Sequence, residues 1–237
     1  MFYIRVADLT VKICSIYPFT QEFCKDYWID PVPNPDIIVE TTKEEILREL
    51  TLEGSNMPPE QAEGICVYRK ICTGLPKKFQ GFLMHGAVIE YQGKGYVFTA
   101  KSGTGKSTHI RLWQKRFGKD RVHIVNGDKP IMRFVDDQLT AYGTPWCGKE
   151  GYQTNTSVPV TAICFIERSE TNWIRPLSPA ESVSRIFHQI LTPADVETVD
   201  AMFPMLNRMI SEIPCYVLGC NISEEAAEVA YHGMNSK

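Results

Sequence analysis

Nine residues near the middle of the chain constrain it most: Ala100, Lys101, Ser102, Gly103, Thr104, Gly105, Lys106, Ser107 and Thr108. An apolar run, GYVFTA, leads into them. Helical periodicity leads out, from about Thr104 to Phe117, with Gly118 where a helix would end. A strand that turns directly into a helix aims the helix's unpaired first amides, and the positive end of its dipole, back at the turn. The glycines let successive amides point inward, so the turn becomes an anion site.

The chemistry follows from the side chains. Gly105-Lys106-Ser107-Thr108 completes a nucleotide-binding loop that departs from the strict pattern at Ala100, where glycine is usual. Lys101 to Thr108 are the residues expected to cradle the phosphates of ATP. Lys106 would place its charge on the terminal phosphates, and Ser107 would offer a hydroxyl to Mg2+. A carboxylate is then needed at the end of a neighbouring buried strand. Asp128 follows the run VHIVN and fits as metal ligand and catalytic group, although Asn126-Gly127 could instead make a tight hairpin turn. Lys129 and Lys149 are near enough in sequence to touch phosphate, but exposed lysines beside loops are commonplace.

The segment before the loop reads as an antiparallel hairpin, GFLMHGAVIEY and GYVFTA around the turn signal QGKG. A turn centred between Gly93 and Lys94 pairs Tyr91 with Tyr96, Ala87 with Ala100 and His85 with Ser102, which brings His85 to the mouth of the loop. A histidine among apolar residues is also an ordinary hydrogen-bonded core residue, and both readings stand at this level.

Elsewhere the pattern predicts an accessory α+β lobe over residues 1–78 and the main α/β domain over 79–237. Thr42 to Glu45 reads as a capping box opening a helix to about Leu52. A second helix starts at Pro58 or Pro59 and is expected to stop near Gly74 and Pro76. Later come the strands IMRFV, LTAY, VTAICFIER, WIRPL and CYVLGC. Helices are capped at Ser178-Pro179 and Thr192-Pro193, the second covering about 194–212, and a last helix runs from Ser223 to about His232. The polar segment from Gly143 to Val158 is long enough to be functional, and Trp146 to Gly151 is expected to shape an acceptor pocket.

Composition narrows the partners. Lys and Arg total 25 against 28 Asp and Glu, a net charge of -3, which argues against a broad nucleic-acid-binding face. No apolar stretch is long enough for a membrane span, and Arg5, Asp8 and Lys12 interrupt any signal-peptide core, so a cytoplasmic protein is expected. The eight cysteines include no C-x-x-C pair and read as reduced thiols filling cores.

Met84-His85-Gly86 on a strand, a glycine turn, Gly103-x-Gly105-Lys106-Ser107, then a helix and a strand ending in Asp128 together resemble the C-terminal domain of HPr kinase/phosphorylase. Its fold is akin to phosphoenolpyruvate carboxykinase. The resemblance is specific over about 82–135 and architectural to about 166. It implies an α/β fold with a mixed sheet and a phosphate-loop core. It also implies ATP-dependent transfer to a serine hydroxyl, with Asp128 in the catalytic aspartate's place and His85 in the active-site histidine's. The family usually has two aspartates where this chain has Gly127 and Asp128, and its HPr-docking motif is not recognisable here. HPr is therefore not expected as substrate. Shorter relatives that phosphorylate serine in ribosomally made peptides point to a hydroxyl on a peptide, protein or small molecule. A non-catalytic nucleotide-binding module, a carboxykinase-like enzyme and a homo-oligomer all stay open.

Overall fold

The structure, a computed structural model, describes residues 1–52 and 57–236. It begins with strands β1 (Phe2–Val6) and β2 (Leu9–Cys14), a short helix α1 (Pro18–Phe23), strand β3 (Ile37–Glu40) and helices α2 (Lys43–Leu52) and α3 (Pro59–Phe79). β1 and β2 pair antiparallel, and β3 joins β2 in parallel. The alternation seen in FYIRV and IIVE buries one face of this small sheet against α3. The Thr42–Glu45 box forms, Thr42 N–H donating to the Glu45 carboxylate and Glu45 N–H to Thr42 Oγ1.

α3 does not stop at Gly74 and Pro76 as expected; it runs on to Phe79, with Pro76 buried inside it. Proline forfeits one helical hydrogen bond. Here Val67, Ile71, Cys72 and Leu75 pack into the first core cluster and offset that loss. The helix ends at Gln80, which takes the left-handed conformation usual for a C-terminal stop.

The rest of the chain builds a mixed, curled sheet. Its strands are β4 (Gly81–Leu83), β5 (Ala87–Tyr91), β6 (Lys94–Thr99), β7 (Val122–Asn126), β8 (Ile131–Val135), β9 (Gln138–Tyr142), β10 (Ser157–Arg168), β11 (Trp173–Pro176) and β12 (Cys215–Cys220). Helix α4 (Lys106–Phe117) follows β6, α5 (Pro179–Phe187) and α6 (Val196–Glu212) separate β11 from β12, and α7 (Glu225–Asn235) comes last. The path runs β4-β8-β9-β10-β6-β5-β7, and β12 joins β10 and β11. β10 is the branch: its first residues pair antiparallel with β9, and its remainder lies parallel to both β6 and β12.

The hairpin register differs from the expected one. Tyr91 pairs with Lys94 and Ala87 with Phe98, because Gln92 and Gly93 make the turn, both at positive φ (56° and 74°). A two-residue turn of that handedness suits the twist of the strands. The shift is two residues, so each side chain keeps its face. α6 also departs from expectation: Asp195 caps it rather than Thr192, its side chain accepting from Thr198 N–H.

Two clusters position the loop that joins β6 to α4. Trp113, fully buried, presses α4 onto the hairpin against the rings of Tyr96, Phe98 and Phe117, at centroid distances of 5.1, 5.6 and 5.2 Å. The first cluster crosses the expected 78/79 boundary, joining Val67, Tyr68 and Ile71 to Leu83, Ile131, Tyr142 and Trp146. Arg133 fastens the same seam, donating to the carbonyls of Phe79 and Ala7. Seven of the eight cysteines are buried and Cys14 is half-buried. No helix among the described residues is long and apolar enough to cross a membrane.

Trp113 Nε1–H donates to His109 Nε2 at 3.0 Å, so the His109 proton sits on Nδ1, which meets no acceptor among the described residues. Complete burial pushes this imidazole down to about 3. The unfolded chain protonates it near the ordinary value, so the folded state loses stability as pH falls below about 6.5, by about 2 kcal/mol at pH 5. Urea unfolding at pH 7.5 and 5.0 checks this. His109→Gln, whose amide oxygen can still accept from Trp113, should show a shallower acid loss, and equal losses in both proteins would contradict the assignment.

Candidate functional site

The loop from Ala100 to Gly105 leaves β6 and enters α4 without a side-chain cap. Gly103 (φ 76°) and Gly105 (φ 127°) hold conformations that side chains rarely adopt. The amides of Ser102, Gly103, Gly105, Lys106, Ser107 and Thr108 find no acceptor among the described residues. Such a set of unpaired donors suits an anion such as a phosphate group. The loop borders a cavity of about 1080 Å³ lined by His85, Thr99 and the loop itself, and on the far side by Glu167, Arg168 and Arg185.

Three predicted residues meet beside the loop. Lys106 Nζ lies 3.0 Å from His85 Nε2 and 3.3 Å from the Ala100 carbonyl. His85 Nε2 lies 3.2 Å from Asp128 Oδ1, and Lys129 Nζ holds Asp128 Oδ2 at 2.5 Å. Ser107 opens α4, the helix that begins at Lys106, while Asp128 approaches from the end of β7.

Local chemistry brings Asp128 in. β7 pairs with β5 and not with β8, so Asn126-Gly127 does not close a hairpin. A bulge adds Val125 between the pairs Ile89–Ile124 and Val88–Asn126, which re-aims the strand end. Asn126 Oδ1 then accepts from the amides of Asp128 and Lys129, and the Asp128 carbonyl accepts from Gly86 N–H at 2.8 Å. The Asp128 backbone is thereby tied to the residue before β5, which places its carboxylate beside His85.

The electrostatics are those of a compact charged cluster. Burial opposes ionisation of Asp128, but the His85 hydrogen bond and the Lys129 ammonium overcome it and hold the carboxyl well below the usual carboxylate range. Burial lowers the affinity of Lys106 for its proton; Asp128 works the other way and Lys129 reinforces the burial. Lys106 is thus a desolvated cation aimed at the loop, where an arriving anion would be strongly held.

Sequence reasoning missed two contributors. Gln189 follows the last turn of α5, whose start is fixed by the Ser178–Glu181 capping box. The chain there runs beside residues 83–85, with His85 N–H donating to the Gln189 carbonyl and Leu191 N–H to the Leu83 carbonyl. One end of the Gln189 carboxamide lies 3.2 Å from His85 Nδ1 and 3.0 Å from Thr99 Oγ1. Arg168, at the end of β10, donates to the carbonyls of Gly103 and Thr104. No local motif marks any of these residues, because long-range pairing alone brings them in.

The expected acceptor segment is buried only at its start, at Trp146 and Cys147, and residues 148–151 are exposed. Trp146 is buried under α3, its Nε1–H donating to the Gly64 carbonyl at 3.0 Å. Gly148 packs on Asp128, and a Cβ on Gly127 would stand 3.0 Å from the Cys147 carbonyl oxygen and 3.1 Å from Tyr152 Cβ. A side chain at 127 would therefore fit only if these neighbours gave by a few tenths of an ångström. Among the described residues no group of three or more His, Cys, Asp or Glu side chains could hold a metal.

Fold and site define a mixed α/β protein with a lysine, a histidine and a carboxylate gathered beside a glycine-rich strand-to-helix loop. Residues 65–230 match the family described as SynChlorMet cassette protein ScmC, more than half of the chain, and the protein belongs to that family. No curated protein matches the sequence. Among solved structures, the Hpr(Ser) kinase/phosphatase from Coxiella burnetii aligns at 10% identity with a TM-score of 0.39, over 64% of this chain and 87% of that one. A likeness that distant carries no function across.

Proposed function

We propose that this protein is an ATP-dependent phosphotransferase that moves a phosphoryl group to a serine or other hydroxyl on a peptide, protein or small molecule. The observation that carries the reading is the meeting of Lys106, His85 and Asp128 beside a loop whose amides lack acceptors. Bound Mg-ATP supplies the transferable phosphoryl group. Residues 101–108 would surround its phosphates, with the unpaired N–H groups of Ser102, Gly103 and Gly105 to Thr108 donating to them, and Lys106 would turn from His85 toward the negative charge. Ser107 and Asp128 would hold Mg2+, which would neutralise charge on the phosphates. Asp128, ionised throughout the neutral range, would orient the acceptor hydroxyl and receive its proton as the new oxygen–phosphorus bond forms and the bond from the γ-phosphorus to the β,γ-bridging oxygen breaks, so that ADP leaves.

Labelled ATP with Mg2+, offered to serine-containing peptides and small hydroxyl compounds, tests the reading. Label should move to an acceptor in the wild type. Lys106→Ala should weaken nucleotide binding on the order of 10- to 100-fold, the loss of a charge-assisted contact. Unchanged affinity in that variant would remove the loop assignment.

The crowding at Gly127 favours one other reading, a nucleotide-binding regulatory module of the same fold with a single carboxylate. Binding of Mg-ATP with neither transfer nor hydrolysis would select it.

A further inference from the structure

Arg168 divides the space around the loop in two, its guanidinium donating to the carbonyls of Gly103 and Thr104. On one side lies the cavity of about 1080 Å³ that His85 and Thr99 border, next to the reactive cluster. On the other is a second cavity of about 420 Å³. Gly103, Thr104, Gly105 and Thr108 border it, with Leu112 one turn further along α4 and the ends of β10 and β12 opposite. Its volume lies within the range of small-ligand sites.

A triphosphate laid along the loop has a direction. Its terminal phosphate belongs at the Lys106–His85 end. The unpaired amides continue from there to Thr108, the last of them, which already lines the smaller cavity. The nucleoside is joined to the other end of the phosphate chain, so it leaves the loop on the Thr108 side, away from His85.

The walls of that cavity match a base. Leu112 and Ile166 are buried and make an apolar floor. Ile222 stands on the rim, 81% exposed. The turn that carries it is tied down through Asn221. Its N–H donates to Asn172 Oδ1 and its Nδ2 to the Glu170 carbonyl, both at 3.0 Å, while its Oδ1 accepts from Ser223 N–H at 2.9 Å and Ser223 Oγ at 2.6 Å. Little ordering entropy is then lost when a ligand covers Ile222. A base has an apolar face and polar edges, and an apolar floor with one rim residue covers the face while leaving the edges to water.

We propose that the smaller cavity is a nucleoside site, in which the base lies on Leu112 and Ile166 and is covered by Ile222. The larger cavity then stays open beside His85 for the acceptor. The assignment rests on the reading above only in taking the loop as the phosphate site.

Calorimetric titration of the full chain with Mg-ATP and with Mg-tripolyphosphate separates the base from the phosphates. The wild type should bind ATP more tightly by about tenfold or more. Ile222→Ser should weaken ATP on the order of fivefold and leave tripolyphosphate unchanged. Ile222→Tyr offers a ring for stacking and should tighten ATP by about fivefold, a gain that damage to the fold would not produce. Ile222 is exposed, so both variants should fold. An azidoadenine analogue of ATP should photolabel residues 220–223. Three results would each overturn the nucleoside site while leaving the loop an anion site: equal wild-type affinities for ATP and tripolyphosphate, unchanged ATP affinity in Ile222→Ser, or label confined to 185–189 across the larger cavity. Binding of neither ligand would overturn the loop assignment together with it. Nucleotide binding as expected with no transfer to any acceptor supports the nucleoside site and defeats only the phosphotransfer reading.

Discussion

Asp128→Asn should leave nucleotide binding within a few-fold of the wild type and lower phosphoryl transfer by about a thousandfold, the usual scale for removing a positioned proton acceptor. The amide keeps the size of the carboxylate and an oxygen for His85 to reach. It cannot accept the hydroxyl proton, and it loses the ion pair with Lys129. Nucleotide titration followed by a single-turnover assay with labelled ATP separates the two effects. Full turnover in the variant would remove Asp128 from the chemistry, whereas loss of nucleotide binding alone would make it a binding residue.

Trp113→Ala should destabilise the fold by about 3 to 5 kcal/mol, the range for deleting a buried aromatic side chain. Trp113 is wholly enclosed by Tyr96, Phe98 and Phe117, and its indole N–H has His109 as acceptor. The truncation leaves both a cavity and a histidine nitrogen without its donor. Because α4 begins at Lys106, the variant should also bind nucleotide more weakly than its stability loss alone explains. Trp113→Phe, which fills most of the space, should lose less. Urea unfolding of the three proteins measures the series, and a loss below about 1 kcal/mol for the alanine variant would mean that the cluster is not the clamp described here.

The parts of the site that local chemistry encodes could be read in advance. Glycines 103 and 105, the lysine after them and the apolar strand before them specify one loop whatever surrounds it. The capping boxes at Thr42 and Ser178 are similarly self-contained, each a side chain reaching three residues along. His85 lies 3.0 Å from Lys106 Nζ although the turn uses Gln92-Gly93 and the hairpin pairing ends at Ala87, two residues short of it. Pro76 misled because local propensity yields to burial when enough apolar neighbours line a helix. Gln189 and Arg168 were invisible because their partners lie 104 and 65 positions away. Their roles exist only once α5 and β10 are docked.

The seam at residue 79 has a mechanical consequence for the carboxylate. Gly64 in α3 holds the Trp146 indole, and the chain two residues beyond Trp146 packs against Asp128. Helix α3 therefore stands behind Asp128 through Trp146 and Gly148, and the span beginning at β4 shares its core with that helix. Cut there, it would bare Leu83, Ile131 and Tyr142 to water and leave the loop behind Asp128 with nothing to lean on.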